Sequence, residues 1–314
     1  MRILLTGAFG NIGMSTLYEL LRQGHSVRCF VSRRKAHART AMRFAGKIEV
    51  IQGDIREPAD LDRAVQDQDV IIHLAYMLPP YSEEQPNLSH AINIGGTRNL
   101  LAAARSLPRQ PRFFFSSSFD VFGYTQDQPP PRKVTDPVQA TDHYSTHKIA
   151  CEEMVKTSGL EWSIFRFADV PPLGLRSPHP IMFKIPLATR FEVIHTYDAG
   201  LAIANGIRSD EIWGRTLLIG GGPSCQMLYR DYLGRMLEMM GIGMLPESAF
   251  GTEPYSTDWL DTDESQYLLH YQRYSFDDIM QQLARIVGYK HLLTRLVRPP
   301  ARWWLLRMSP FYNH

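Results

Sequence analysis

Residues 2–22, RILLTGAFGNIGMSTLYELLR, carry an apolar run into an amphipathic one through three glycines, Gly7, Gly10 and Gly13. Each glycine meets a different steric demand. Gly7 permits the tight turn that ends a strand, Gly10 lets backbone approach a bound group, and Gly13 lets the new helix lie against the strand it has just left. The helix then opens with unpaired N–H groups and the positive end of its dipole, which together suit a pyrophosphate. A chain built this way is predicted to start a βαβ unit whose first turn holds a dinucleotide.

The same rhythm continues. Short apolar runs, SVRCFV, KIEVIQGD, DVIIHLAY and RFFFSSS, alternate with helix-like stretches such as NIGGTRNLLAAARS. The runs are apolar at consecutive positions, as strands covered on both faces must be. A helix from near His143, a strand in LEWSIFRF and a late strand in GRTLLIGGG extend the series. The predicted class is α/β: a Rossmann-type, doubly wound parallel sheet with a small, mainly helical C-terminal substrate lobe. Residues 1–170, with 193–222 returning to the sheet, are read as the dinucleotide-binding domain. Residues 171–192 and 223–314 are read as the substrate lobe, with no clear strand beyond 223 and with proline-rich loops at 127–137 and 169–186 beside the strand ends.

With 34 basic and 32 acidic side chains in 314 residues, the chain gives no electrostatic reason to expect nucleic acid, and a small-molecule substrate is the default. Cys29, Cys151 and Cys225 form no CxxC pair and fit a reducing, cytoplasmic setting. MRILLTG enters the turn without a basic leader, and no apolar run is long enough to span a bilayer, so neither a signal peptide nor an integral membrane segment is expected. The tail KHLLTRLVRPPARWWLLRMSPFYNH mixes Arg295, Arg298, Arg302 and Arg307 with Trp303, Trp304 and Leu305. A helix packed on its own lobe is the plainer reading; contact with a membrane surface or a partner is the other.

The second strand runs into SRRKAHAR, at the position where a carboxylate would meet the adenosine ribose of NAD and repel a 2′-phosphate. Ser32, Arg33 and Arg34 offer a hydroxyl and two guanidiniums instead, so NADP(H) is expected ahead of NAD(H), which stays possible. In DHYSTHK, Tyr144 and Lys148 stand four apart, on one helix face. An ammonium beside a phenol should draw it below its usual value of about 10, letting Tyr144 pass a proton to or from a reacting oxygen. Ser118, ahead of Ser117, is the second contact expected for that oxygen. His143 and His147 share the spacing of two metal ligands, yet no HExxH and no third ligand accompany them, and no metal is expected.

Taken in order, these motifs resemble the extended short-chain dehydrogenase/reductase family of nucleotide-sugar epimerases, dehydratases and related ketoreductases. TGAFGNIG is similar to the family's TGxxGxxG, GDIRE to its adenine contact, HLAY to its segment beside the cofactor phosphates and ribose, NIGGTRNLL to a helix segment, FFFSSSFDVFG to its serine-bearing strand end and YSTHK to its YxxxK. VIHTYDAGLAI, LLIGGG and DWLDTDESQYLL match later segments. The resemblance implies a cofactor site of Gly7, Phe9, Gly10, Asn11, Ile12, Gly13, Ser32, Arg33, Arg34, Asp54, Ile55, Leu74, Ala75, Tyr76, Asn93, Ser116, Lys148, Phe167 and Val170. It implies catalysis by Tyr144, Lys148 and Ser118, and a homodimer through helices of the first domain.

Two departures narrow the substrate. The acidic pair that dehydratases carry after the catalytic hydroxyl is here Phe119 and Asp120, so half of it is missing. Asp169 stands where nucleotide-sugar epimerases commonly have an asparagine facing the substrate diphosphate, and a carboxylate there repels such a group. Tyr76, Met77, Phe119, Asp120, Asp169 and Met182 are the expected substrate residues, mostly apolar. The reading is an NAD(P)-dependent reductase or dehydrogenase acting on a ketone or secondary alcohol of a nonpolar metabolite. A UDP-sugar epimerase with retained cofactor is the alternative, and a non-catalytic NADPH-binding sensor or assembly protein comes third.

Overall fold

A computed structural model describes residues 1–174 and 178–312; residues 175–177 of the expected substrate lobe and the last two of the tail lie outside it. The described residues form nine strands: β1 (Arg2–Thr6), β2 (Ser26–Val31), β3 (Glu49–Gln52), β4 (Val70–His73), β5 (Arg112–Ser118), β6 (Trp162–Phe167), β7 (Arg190–Glu192), β8 (Arg215–Ile219) and β9 (Gln226–Leu228). Thirteen α-helices accompany them among the described residues: α1 (Asn11–Arg22), α2 (Lys35–Met42), α3 (Pro58–Ala64), α4 (Tyr81–Glu84), α5 (Pro86–His90), α6 (Gly96–Arg105), α7 (His143–Lys156), α8 (Thr196–Gly206), α9 (Tyr229–Met239), α10 (Asp263–Leu269), α11 (Phe276–Val287), α12 (Lys290–Leu296) and α13 (Arg298–Leu306).

Seven strands form one parallel sheet in the order β3-β2-β1-β4-β5-β6-β8. Because successive side chains of a strand point to opposite faces, each apolar run feeds two cores at once. Ile3 and Leu5 of β1 join Phe114 of β5 on one face, under α1 and α8. Leu4, Phe113 and Phe115 turn to the other, under α3, α6 and α7. The Phe114 and Phe165 rings meet edge to face at 4.7 Å, a contact worth about 1 kcal/mol beyond the area it buries.

A third core, with Phe183, Phe191, Tyr229, Leu237 and Leu283, lies among the C-terminal helices. Here the sequence reading needs one correction. Beyond residue 223 there is a strand, β9, which pairs antiparallel with β7. Its three residues are too few to show an alternating pattern.

The strand order reverses direction between β1 and β4. At such a switch point the chain leaves neighbouring strands toward opposite faces, which opens a crevice at their carboxyl ends. Gly7 follows β1 and Leu74 follows β4, so both lie at that crevice.

Candidate active site

Gly7 has φ of +69°, and a Cβ on it would stand 2.7 Å from the Ala75 nitrogen. A Cβ on Gly13 would overlap the Gly7 carbonyl oxygen. Both positions therefore exclude any side chain, and the turn lies flat against the β4 end. Gly10 caps α1 with no side-chain hydrogen bond, leaving the first helical N–H groups for a ligand. The cradle fits the phosphates of a dinucleotide. Asn11 Nδ2 donates to the Val170 carbonyl at 2.7 Å, and Thr6 Oγ1 accepts from the Ala75 N–H at 3.1 Å, so the turn is braced by the ends of β4 and β6. Phe9 is packed against Phe44, Ile12 lies at the edge of the core, and Phe167 is buried within it.

At the end of β2 the basic residues differ from one another. The Arg33 guanidinium is held by Asp60 at 2.8 Å, and Asp60 also accepts the Asp54 N–H at 2.9 Å. The Arg34 side chain makes no hydrogen bond or ion pair among the described residues, and Ser32 Oγ lies 3.1 Å from His37 Nδ1. The Asp54 carboxylate is taken up by Arg56, which holds it below its usual range. Ile55 is buried against Gly96.

The three serines at the end of β5 part company by alternation. Ser117 donates to the buried Glu152 at 2.6 Å, and Glu152 is gripped by Arg166 through two nitrogens. Ser116 and Ser118 face the other way. The Ser116 carbonyl accepts from Lys148 Nζ at 2.6 Å, while the Ser118 hydroxyl donates to Asp120 and is near enough to the Tyr144 phenol to counter part of the rise in its pKa.

Tyr144 and Lys148 come from the first turns of α7. That helix starts in a capping box, in which Asp142 accepts the Ser145 N–H and Ser145 returns a contact to the Asp142 N–H. A residue the sequence reading did not single out completes the cap: Glu83 accepts the N–H groups of His143 and Tyr144 at 3.0 and 3.1 Å. Asn93 lies in a π-turn, Ala91–Gly95, and exchanges two hydrogen bonds with the Met77 backbone. Its side chain therefore fixes the loop after β4.

Electrostatics depart from the sequence expectation. Lys148 Nζ lies over the Tyr76 ring at 3.5 Å but 5.6 Å from the centre of the Tyr144 ring. Burial dominates both groups. It lowers the Lys148 ammonium to about 7 and drives the Tyr144 phenol well above its usual value, with Asp120 adding to the rise. The phenol is thus held neutral by desolvation, which outweighs the ammonium nearby. Burial also raises Asp120 to about 7.

Burial raises the phenol of Tyr255, a residue of an unpatterned loop that the motifs did not reveal, and the charges of Asp120 and Asp169 add to the rise. Asp169 bridges to Val193, Phe119 packs at the edge of the sheet core, and the Met182 carbonyl accepts from the Tyr229 hydroxyl at 3.0 Å. The rings of His143 and His147 are 6.3 Å apart, and His147 also touches the His90 ring. Among the described residues no group of three or more His, Cys, Asp or Glu side chains is arranged to hold a metal ion.

The chain matches the family model for the NAD dependent epimerase/dehydratase family across residues 3–170. It is similar to 3 beta-hydroxysteroid dehydrogenase/Delta 5-->4-isomerase of Mycobacterium tuberculosis, 34% identical over 125 residues, 38% of this chain and 32% of that protein. It is also similar to D-erythronate dehydrogenase of Haemophilus influenzae, 27% identical over 172 residues, 52% of either chain. The matches thus span about a third to a half of these curated relatives. Among solved structures, UDP-glucuronic acid 4-epimerase from Bacillus cereus, in complex with UDP-glucuronic acid and NAD, superposes with a TM-score of 0.76 at 20% identity, over 91% of this chain and 99% of that one. At that identity the likeness is one of fold.

Proposed function

The chain belongs to the NAD dependent epimerase/dehydratase family, and on that premise we propose that it is an NAD(P)-dependent oxidoreductase acting on a ketone or secondary alcohol of a nonpolar small metabolite. The observation that carries this reading is the convergence of Tyr144, Lys148 and the hydrogen-bonded Ser118–Asp120 pair around Tyr76, at the crevice that the glycine turn lines. When bound, the nicotinamide cofactor supplies or takes the hydride.

The chain's own residues handle the proton. In the reducing direction the neutral Tyr144 phenol gives its proton to the oxygen that has become an alkoxide, Ser118 passes its own proton to the phenolate, and Asp120 in its acid form restores the serine. With Asp120 in its acid form the Ser118 hydroxyl accepts from it and donates toward Tyr144, each bond broken is replaced, and the proton Asp120 gives up in a turnover is returned from solvent before the next. Lys148 stands by as a charge that favours the transient phenolate and as a donor toward the cofactor ribose.

Preference for NADP(H) is part of the proposal, and Arg34, without a partner among the described residues, supports it. So is the division of labour: residues 1–170 with 193–222 hold the cofactor, and 171–192 with 223–314 shape the substrate site. The family resemblance supports a homodimer, and three buried, unpaired cysteines support a cytoplasmic setting. Steady-state turnover with NADPH and NADH against a ketone panel tests the reading. Inactivity across the panel, or unchanged activity in Tyr144→Phe, overturns it.

A UDP-sugar epimerase is the second reading, favoured by the fold of the B. cereus enzyme. Against it, Asp142 and Asp169 both bear on Tyr144 and Tyr255, and carboxylates there repel a diphosphate. Full-occupancy cofactor in the purified protein together with tight binding of a UDP-sugar would favour the epimerase. Tight NADPH binding with no turnover would favour a sensor.

A further inference from the structure

The last helices carry charge of one sign. From Ile279 to the end of the chain there is no Asp or Glu, whereas Arg285, Lys290, Arg295, Arg298, Arg302 and Arg307 are cationic. Among them Tyr289, Leu293, Leu296, Val297, Trp303 and Trp304 are exposed, Leu296 at 80% and the tryptophans at 56% and 53%.

These exposed side chains are not the ones that hold the tail in place. Leu305 is buried in the lobe core with Leu306 and Met308 against it, and the Ser309 hydroxyl donates to the Ala249 carbonyl at 2.6 Å. Arg302 Nη1 reaches the carbonyls of Ile242, Gly243 and Met244. The tail is therefore anchored through one set of residues while a second set, at helical spacing, offers aromatic and aliphatic groups to the outside.

We infer that this outer face of α12 and α13 seats the protein on an anionic lipid surface. Charge decides the occupant. In a symmetric contact with a second copy, the same cations would face one another. Glu238 is the one carboxylate the tail's guanidiniums reach among the described residues, at 3.3 Å from Arg295 and 3.8 Å from Arg298. Anionic headgroups supply the missing charge, and tryptophan prefers the boundary between headgroup and acyl chain. No helix of the described residues is long and apolar enough to cross a membrane. The helices lie in the interface plane, as amphipathic segments with a cationic face do. This inference stands apart from the catalytic reading.

The test uses the full chain with two sets of extruded vesicles, phosphatidylcholine alone and phosphatidylcholine with about a third phosphatidylglycerol. Co-sedimentation is expected with the anionic set, about tenfold above the neutral one at low salt, and it falls as salt rises. A variant with Leu296→Ser, Trp303→Ser and Trp304→Ser should keep its circular-dichroism melting midpoint and stay in the supernatant. A second variant, Arg285→Glu with Arg307→Glu, alters only exposed cations and should lose most of the anionic preference. Wild type that does not sediment overturns the inference, as does equal sedimentation with both sets or sedimentation undiminished in both variants. So does a solution dimer in which this face is protected from hydrogen exchange.

Discussion

Lys148 and Tyr76 are stacked: the ammonium lies 3.5 Å from the centre of the ring, and it donates a hydrogen bond to the Ser116 carbonyl at 2.6 Å. A π face and a carbonyl replace water only in part, so burial brings the lysine from 10.5 down to about 7. That deficit enters folding with a definite sign. Below about pH 7 the folded and unfolded chains both carry the proton, and the whole cost is present. Between about 7 and 10.5 only the unfolded chain holds it, so stability rises with pH across that window. In urea unfolding, wild type should gain on Lys148→Met from pH 7 to 10, with the methionine variant more stable at neutral pH by about 1–3 kcal/mol. A difference that stays flat with pH would exclude a depressed lysine.

Asp120 supplies the pH dependence of turnover. Its carboxyl is raised to about 7, chiefly by burial, and the reducing direction draws on its acid form. The reductive rate should therefore fall as pH rises through about 7. Lys148, whose charge favours the phenolate, also loses its proton near 7, so Asp120→Asn should drop kcat roughly a hundredfold and make the limb shallower, leaving the part that belongs to the lysine. A limb of unchanged steepness in the asparagine variant would assign it to Lys148 alone.

Glu83 acts through the helix that bears Tyr144. Its carboxylate accepts two N–H groups at the start of α7, where a negative charge also meets the positive end of the helix dipole. Glu83→Ala should cost about 1–2 kcal/mol of stability by urea unfolding. Activity should fall about tenfold in kcat with little change in KM, because the phenol loses its fixed position. Glu83→Gln keeps an acceptor oxygen and should recover part of both losses.

The sheet and the cradle were legible because each residue there answers to its neighbours in sequence. RFFFSSS reads as a strand covered on both faces, and its phenylalanines do divide between two cores. Gly7 and Gly13 are glycines because the backbone they touch leaves no room, and that demand is visible in their spacing. What escaped notice depends on distance along the chain. Glu83 meets α7 across sixty positions, and Tyr255 comes from a loop with no period. The direction of the Tyr144 shift escaped for a different reason. Spacing showed that a lysine was near, but only the packing shows how little water reaches either group, and desolvation is the larger effect.

Cofactor choice separates two adjacent arginines that look equivalent in SRRK. Arg33 is already engaged by Asp60, which in turn holds the Asp54 N–H, so pulling it toward a 2′-phosphate would break an existing pair and loosen the turn after β3. Arg34 has no such commitment among the described residues, and its guanidinium can take a phosphate at no cost to another contact. A charge-assisted hydrogen bond of this kind is worth about 1.5–3 kcal/mol, or roughly tenfold to a hundredfold in affinity. Arg34→Ala should lower kcat/KM for NADPH by that factor and leave the value for NADH within about twofold. Arg33→Ala should cost NADPH less and should also lower stability, since Asp60 is left without its partner. Equal losses for both cofactors in Arg34→Ala would show that the residue does not read the 2′-phosphate. The preference would then have to rest on Ser32 or on no residue of this loop.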